Sequence, residues 1–226
     1  LYVEPVLGEG VPGHPLSRDF YDAARTLSRE HGSLLVVDSI QAALRAHGCL
    51  SIVDYPGFEG CDAPDMETYS KALNAGQFPL SVTALRTIAA ELYVTGVYGN
   101  TMTTNPRALE VGCAVLDTVD DAMRANIRER GAELVAKLEG LQRQHPEAIL
   151  DVTGTGLLVC AELDSDAFPV TGEGGFEEYL RTHGVQMIHG GANGLRFTPP
   201  FDLTQEEVQL ILGQVRVGIR ELDYGR

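Results

Sequence analysis

Several absences restrict the function of this 226-residue chain before any motif is considered. No run of apolar residues approaches the roughly 18 that are needed to span a bilayer. The formal net charge of −15 repels phosphate backbones and anionic membrane surfaces, and no cluster of lysine and arginine interrupts it. We therefore expect no nucleic-acid partner and no membrane partner.

The chain also uses little cysteine. Its four cysteines are scattered, with no CxxC pair and no cluster with histidine: Cys49, Cys61, Cys113 and Cys160. Zinc sites and disulfide frameworks need suitably spaced cysteines, so we expect no metal site and no disulfides. Unpaired cysteines are typical of a reducing compartment, which predicts the cytoplasm, with the mitochondrial matrix as the alternative.

Lysine is the scarcest basic residue, because only Lys71 and Lys137 occur. Lys137 lies in a charged helical pattern, whereas Lys71 lies among small residues, with Glu67 as the only opposite charge within four positions. A lysine amine can become a neutral nucleophile in a pocket and an arginine cannot, which makes Lys71 a candidate catalytic residue. Taken alone, the same position also fits an ordinary solvated surface lysine.

The hydrophobic pattern at the start of the chain predicts an α/β fold with parallel strands. A short strand is predicted at 1–6 (LYVEPV), and apolar residues recur at helical spacing over 17–31. The next run, 33–37 (SLLVV), is apolar on both faces, as expected of a central parallel strand. Together these three elements predict a βαβ unit.

The middle of the chain combines loops, one strand and a long helical region. Glycine-rich and proline-rich loops are predicted for 48–66, and FPLSVTAL (78–85) is a strand candidate. Asn105 followed by proline is typical of a helix start. The helical pattern continues to about Gln144, with a predicted break near 118–121.

The last part of the chain has a different character, with strands and two further helices. Strands are predicted in 149–163, 185–190 and 195–200, a short helix in 175–184, and a final helix that opens with the capping box Thr204-x-x-Glu207. We therefore predict a parallel α/β part over 1–105, connecting helices over 106–144 and a smaller α+β part over 145–226.

A carboxylate at the end of a predicted buried strand gives Lys71 a chemical partner. Asp38 follows the strand at 33–37, and the carboxyl ends of parallel strands are where α/β proteins bind ligands. A helix cap or a satisfied carboxylate is the alternative interpretation of Asp38. Together, the two residues suggest pyridoxal phosphate, which needs a lysine for its Schiff base and a carboxylate to keep its pyridine nitrogen protonated.

Six stretches carry a resemblance to a known family, and they stand in the order seen there. They are YVEPVLGEG, LLVVDSIQAALRAHG, SKALNAGQFPLS, GNTMTTNPRALEVG, DVTGTGLLVCAEL and LRFTPPFDLTQEEV. In these stretches the chain resembles the class III aminotransferases, which are fold type I pyridoxal-phosphate enzymes and include ornithine, acetylornithine and 4-aminobutyrate aminotransferases. The lysine loop is most similar to the ornithine aminotransferase version.

The resemblance implies an incomplete enzyme. It covers residues 1 to about 222 and corresponds to the C-terminal half of the family: the C-terminal part of the parallel-sheet large domain, followed by a small α+β domain. The N-terminal half, which supplies the phosphate-binding loop and the ring that stacks on the cofactor, is then expected as a partner.

The resemblance also implies roles for residues around the cofactor. Lys71 would carry the cofactor as a Schiff base and shuttle a proton, and Asp38 would pair with the pyridine nitrogen. Gln41 would contact the phenolic oxygen of the cofactor. Thr101 would reach the phosphate of the neighbouring subunit, which implies a homodimer with the active site at its interface.

Two further residues are implied in substrate binding. Arg196 matches an arginine that takes a substrate carboxylate, and Glu9 matches a glutamate that pairs with this arginine and releases it when the keto acid binds. Two departures from the family stand beside them. Ser39 replaces the usual glutamate after the aspartate, and TMTTNP (101–106) replaces a more common glycine pair.

Other candidate sites are weaker. TGTG (153–156) is followed by a strand and not by a helix, which favours a tight turn over a phosphate site. His189 is better interpreted as a structural loop residue than as part of a substrate site. The acidic residues of 117–134 fit a solvated helix face.

The expected function is transamination from an amine or an ω-amino acid to 2-oxoglutarate. Related chemistry of the same family, as in racemases, aminomutases and decarboxylases, would use the same lysine and aspartate. A non-catalytic half-subunit that needs a partner chain is an alternative of another class. A dinucleotide-dependent dehydrogenase is disfavoured, because no strand is followed by G-x-G-x-x-G opening a helix.

Overall fold

The computed structural model describes residues 1–97 and 103–222. The chain forms two compact units. The first consists of Leu1–Val6 and Leu16–Ala122, and the second consists of Leu7–Pro15 and the chain from Met123 onward. Among the described residues, no helix combines the length and the apolar character that a membrane span requires.

The first unit is built on a four-stranded mixed sheet. Its strands, in spatial order, are β1 (Tyr2–Val3), β2 (Val36–Asp38), β3 (Met66–Tyr69) and β4 (Val82–Leu85). β1 pairs in parallel with β2, and β2 in parallel with β3, whereas β4 is antiparallel to β3. The predicted βαβ unit is confirmed, because α1 (Arg18–Glu30) connects β1 to β2.

The sequence did not predict strand β3. Its first residue, Met66, fell in a predicted loop, and METY is not an apolar strand pattern. The pattern fails because Glu67 and Tyr69 are buried while Met66 and Thr68 are half-buried, so the strand places a carboxylate on its buried face. The strand matters because it ends two residues before Lys71.

Two helices of the first unit begin at side-chain caps, and the cap at Asn105 is the one predicted from the sequence. The Ser17 side chain accepts a hydrogen bond from the Phe20 amide at the start of α1. Asn105 accepts from the Arg107 amide at the start of α3 (Pro106–Thr118). A short helix α2 (Thr87–Ala90) and 3₁₀ turns at Ile52–Asp54 and Lys71–Asn74 complete the unit.

The second unit packs helices on an antiparallel sheet. Its strands, in spatial order, are β5 (Ile149–Thr155), β6 (Leu158–Leu163), β8 (Gly194–Phe197) and β7 (Ile188–Gly190). Its helices are α4 (Asp121–Gln144), which lies in this unit from Met123 onward, α5 (Phe176–Thr182) and α6 (Gln205–Glu221). The predicted break between α3 and α4 and both hydrogen bonds of the predicted capping box at Thr204 are confirmed.

A close approach of α4 explains the glycine-rich stretch at 153–156. Gly156 has φ +56° in the turn between β5 and β6, so the predicted strand turn is confirmed. A Cβ atom on Gly131 of α4 would lie 2.1 Å from the Gly156 carbonyl oxygen. The helix can therefore pass over this turn only because position 131 has no side chain.

A buried ion pair fixes α1 against the start of β2 and β3. Arg25 donates from both Nη atoms to Asp65, at 2.6 Å and 2.9 Å, and both side chains are 6% exposed. The Leu35 amide donates to the same carboxylate at 2.9 Å. The hydrogen bonds from Arg25 hold the pKa of Asp65 below its usual value, despite the opposing effect of burial.

This pair predicts a pH-dependent contribution to stability. Replacing Asp65 by asparagine leaves a buried guanidinium poorly compensated, and we expect a loss of about 3 kcal/mol in the free energy of unfolding at pH 7. Because the folded-state pKa of Asp65 is depressed, its stabilising effect is complete above the usual pKa of 3.8 and disappears as the pH falls through the folded-state value. The measurement is urea unfolding of wild type and variant over a pH series.

The exposed pair Arg18–Asp22 on the same helix provides the control for this experiment. Asp22→Asn should cost less than about 1 kcal/mol at every pH, because the pair is solvated. An Asp65→Asn effect no larger than that of Asp22→Asn, or one that stays constant down to acid pH, would contradict the assignment.

Candidate functional site

Asp38 lies at the carboxyl end of β2, where three donors hold its carboxylate. The Ile40 amide donates to Oδ1 at 3.0 Å, and Thr68 Oγ1 lies 3.4 Å from the same oxygen. The Tyr2 hydroxyl donates to Oδ2 at 2.6 Å. These three contacts fix the orientation of the Asp38 carboxylate at the end of the strand.

Lys71 and Asp38 lie at the same edge of the first sheet. β2 and β3 are parallel, and Asp38 is paired in register with Thr68. β3 then ends at Tyr69, and Lys71 follows after one intervening residue. The lysine side chain is exposed, and within 1–97 and 103–222 it takes part in no ion pair.

The backbone around Lys71 is strained and firmly anchored. Lys71 has φ +46°, in the left-handed region that costs a non-glycine residue roughly 1–2 kcal/mol. Ser70 donates its hydroxyl hydrogen to the Leu80 carbonyl at 2.6 Å, and Asn74 accepts from the Gly76 amide at 2.8 Å. Strain of this kind persists where the surrounding structure imposes it, and it is frequent at functional sites.

Helix α3 supports the lysine loop from one side. A Cβ atom on Gly112 would lie 2.8 Å from Leu80 Cδ2 and 3.8 Å from the Leu73 carbonyl oxygen. The helix backbone can therefore lie directly against the loop because residue 112 is glycine. This contact and the Ser70 hydrogen bond to Leu80 hold both ends of the turn that starts at Lys71.

Gln41 and Thr101 complete the positions expected around a cofactor. Gln41 lies in the turn after β2 and is half-buried. Thr101 lies outside the described residues.

Ser39 stands where a glutamate was expected from the resemblance, and a buried glutamate, Glu67, contacts it from the neighbouring strand β3. Glu67 is 3% exposed and accepts from the Ser39 hydroxyl at 2.5 Å, the Ser51 hydroxyl at 2.6 Å and the Ile52 amide at 3.0 Å. These bonds tie the residue after Asp38 to the far end of the following loop. Glu67 was not predicted from the sequence, because METY has no apolar alternation and its burial pattern is visible only in the structure.

Arg196 and Glu9 form an ion pair within the second unit. Arg196 Nη1 lies 2.5 Å from Glu9 Oε1 and donates to the Gly8 carbonyl at 2.7 Å. The two partners differ in environment, because the Arg196 side chain is 10% exposed and the Glu9 side chain is 62% exposed. Arg196 is therefore a largely buried residue of strand β8, whereas the Glu9 carboxylate is exposed to solvent.

Strand β7 packs against the aliphatic part of the Arg196 side chain. Arg196 lies between Cys160 of β6 and Ile188 of β7 in the sheet. A Cβ atom on Gly190 would lie 3.1 Å from Arg196 Cδ and 2.9 Å from Pro12 Cγ, so these groups pack closely on a position without a side chain. His189 lies next to this glycine and makes a 3.0 Å contact with Glu177.

The donor set of the first unit fits pyridoxal phosphate. Lys71 offers an exposed amine outside any ion pair of the described residues, which suits a bond to an aldehyde. Asp38 offers a carboxylate at the same sheet edge, which suits a protonated ring nitrogen. Both residues were predicted from the sequence, whereas Tyr2 and Thr68, whose hydroxyl groups lie against Asp38, were not.

Comparison with known proteins gives consistent results. The sequence model of the family Aminotransferase class-III matches residues 1–217. Acetylornithine aminotransferase of Mesorhizobium japonicum is 30% identical over 227 residues, covering 98% of this chain and 53% of that protein. Ornithine aminotransferase 2 of Staphylococcus aureus is 32% identical over 215 residues, covering 95% of this chain and 51% of that protein.

Solved structures agree with this relationship. The ornithine aminotransferase of Toxoplasma gondii superposes with a TM-score of 0.85 at 27% identity, covering 100% of this chain and 52% of the other. N-acetylornithine aminotransferase of Stenotrophomonas maltophilia gives a TM-score of 0.79 at 28% identity, covering 100% of this chain and 57% of the other. The chain thus spans about half the length of these relatives. It belongs to the class III aminotransferase family and has the fold type I architecture of that family.

Proposed function

We propose that this chain is the C-terminal half of a pyridoxal-phosphate-dependent aminotransferase that moves an amino group from an amine or ornithine-like ω-amino acid to 2-oxoglutarate. The observation that carries the proposal is the placement of Lys71 and Asp38 at one carboxyl edge of adjacent parallel strands. The ornithine and acetylornithine aminotransferases among the relatives support the choice of donor.

Lys71 and Asp38 divide the work at the cofactor. When bound, pyridoxal phosphate supplies an electron sink for the electron pair left by a broken substrate C–H bond. Lys71 would hold the cofactor through its Nζ and, once released by the amine of the substrate, would take the proton from the substrate carbon. Asp38 would hold a positive charge at the ring nitrogen, and Gln41 would contact the phenolic oxygen.

Arg196 and Glu9 select the substrate. A guanidinium group can bind a carboxylate through two parallel hydrogen bonds, which suits the α-carboxylate of 2-oxoglutarate or glutamate. Paired with Glu9, Arg196 is neutralised and does not attract the carboxylate of an ω-amino donor. Glu9 is exposed, so it can return to solvent when the carboxylate of a substrate takes its place on Arg196 and keeps the buried guanidinium paired.

The N-terminal half of the same enzyme is the proposed first partner. The chain spans about half the length of its relatives, and the first unit exposes large apolar side chains. These include Leu1, Tyr2, Val82, Leu85, Ile88, Leu92, Tyr93, Val94 and Val97. Exposed apolar surface of this kind is typical of a protein–protein interface. A homodimer in which Thr101 reaches the neighbouring active site is the proposed assembly.

The chain spans about half the length of its relatives, which also fits an alternative function as a non-catalytic half-subunit. A half-subunit could contribute Lys71 and Asp38 only after docking to a partner chain and could have no activity by itself.

Other class III chemistry, such as racemisation, amino-group migration or decarboxylation, would use the same two residues. Product analysis with a keto-acid acceptor separates these reactions, because only transamination consumes the acceptor in proportion to the donor.

The first functional prediction concerns the attachment of the cofactor to Lys71. The test uses a preparation with the whole aminotransferase fold, either as a longer native chain or as this chain together with an N-terminal half. Borohydride reduction followed by peptide mapping should place a pyridoxyl adduct on Lys71, because its amine is exposed and unpaired by any described acid. Lys71→Arg should abolish the adduct, whereas the matched variant Lys137→Arg should keep it. An adduct on Lys137 would refute the assignment.

The second prediction concerns the charge on Asp38. Asp38→Asn should retain the cofactor but slow turnover by roughly 10²–10³-fold or more, since a neutral amide cannot stabilise a charged ring nitrogen. Asp54→Asn, which changes an exposed carboxylate in the same unit, is the control and should leave turnover unchanged. Near-normal turnover of the Asp38 variant would mean that this side chain only caps its strand.

The third prediction tests the pair in the second unit. Removing the carboxylate with Glu9→Ala leaves Arg196 available in both half-reactions. We expect 2-oxoglutarate to remain a substrate, while donors with an α-carboxylate begin to react through their α-amine. The measurement is the ratio of kcat/KM for α- and ω-amino donors, with the exposed Glu173→Ala as the control. An unchanged ratio would leave Glu9 as a static surface partner.

A further inference from the structure

Three hydroxyl or carboxyl side chains meet on one face of the first sheet. Tyr2 is paired with Val36 in the parallel register of β1 and β2, and Asp38 lies two residues beyond Val36, on the same face. Thr68 is paired with Asp38 across β2 and β3 and shares this face. The face therefore carries Tyr2, Asp38 and Thr68 on three neighbouring strands.

The hydrogen bonds of Asp38 leave a specific place for a further donor. A carboxylate has about four acceptor positions, two on each oxygen. Among residues 1–97 and 103–222, Oδ1 receives the Ile40 amide and the weaker Thr68 contact, whereas Oδ2 receives the Tyr2 hydroxyl alone. One acceptor position is left, and it belongs to the oxygen that Tyr2 contacts.

We propose that Tyr2 is a positioning residue that orients Asp38 Oδ2 toward the ring nitrogen of the cofactor, so that the carboxylate keeps this nitrogen protonated. This inference rests on the proposed function and adds a residue to it. With the cofactor bound, its ring N–H and the Tyr2 O–H would both donate to Oδ2. A hydroxyl that holds this oxygen in place keeps the carboxylate directed at the ring nitrogen, where its negative charge favours the protonated ring.

The direction of the Tyr2 hydrogen bond is well defined. An ionised Asp38 can only accept, so the phenol must donate. The hydrogen bond to Asp38 is also the main reason why the pKa of Tyr2 lies above its usual value, so Tyr2 stays a donor. At 2.6 Å, the distance is typical of an O–H donor to a charged acceptor.

The experiment measures the protonation of the ring directly. The whole-fold preparation is loaded with pyridoxal phosphate that carries ¹⁵N at the ring nitrogen, and the ¹⁵N chemical shift distinguishes a protonated from a neutral ring. We expect a protonated-ring signal in wild type, a neutral-ring signal in Asp38→Asn and an intermediate signal in Tyr2→Phe. In the Tyr2 variant we also expect kcat to fall by about tenfold, the effect of one hydrogen bond to a charged group, with little change in KM.

The chain provides a matched control for the loss of the phenol. Tyr179 donates to Glu221 at 2.9 Å in the second unit, so Tyr179→Phe removes the same kind of bond at another place. In Tyr179→Phe, the ¹⁵N signal of the cofactor ring should equal that of wild type. Thr68→Val removes the longer contact to Oδ1 and should shift the signal less than Tyr2→Phe does.

The outcomes separate this inference from the proposed function. A wild-type signal in Tyr2→Phe, with Asp38→Asn giving the neutral ring, would overturn the role of Tyr2 and leave the function intact. A wild-type preparation in which the cofactor does not bind, or in which Asp38→Asn leaves the ring protonated, would overturn the function itself. Equal shifts in Tyr2→Phe and Tyr179→Phe would also overturn the role of Tyr2, because the effect would not be local.

Discussion

The parallel register between β2 and β3 is the constraint on which the candidate site depends. It pairs Asp38 with Thr68, so that the lysine loop, which starts just after β3, begins at the edge where β2 ends. A shift of this pairing by one residue would turn Asp38 to the buried face and bring Ser39 to its place. The buried hydrogen bond from Ser39 to Glu67 opposes this shift, because either residue would lose its partner.

Three carboxylates at or next to the strands of the first unit differ in their burial and in their hydrogen-bond donors. Asp65 is buried and neutralised by Arg25. Glu67 is buried and accepts hydrogen bonds from two hydroxyl groups and an amide, all of which are neutral donors. Asp38 is half-buried and is held by a phenol, an amide and a threonine hydroxyl. Of these three carboxylates, Asp38 is the one that a ligand can reach, since Asp65 and Glu67 are buried in the fold.

Sequence patterns predicted the elements whose signals are local. Asn105 and Thr204 cap the helices that they were expected to start, because a capping bond involves residues only two or three positions apart. Strand β3 was missed because Glu67 is stabilised by Ser39 and Ser51, which are far from it in the sequence. Tyr2 was missed for the same reason, since its partner lies 36 positions away. Lys71 was found because its scarcity and neighbours are properties of the sequence itself.

Rigidity is distributed differently around the two functional groups. The lysine turn combines an unfavourable backbone conformation with anchors at Ser70 and Asn74, so Lys71 is held in one place by its surroundings. In the ion pair of the second unit, Arg196 is fixed by its strand while Glu9 remains exposed. Proton transfer requires a group held within a fraction of an ångström, whereas accepting two unlike substrates requires a charge that can be covered and uncovered. In the proposed function, the strained and hydrogen-bonded turn at Lys71 meets the first requirement, and the exposed Glu9 carboxylate meets the second.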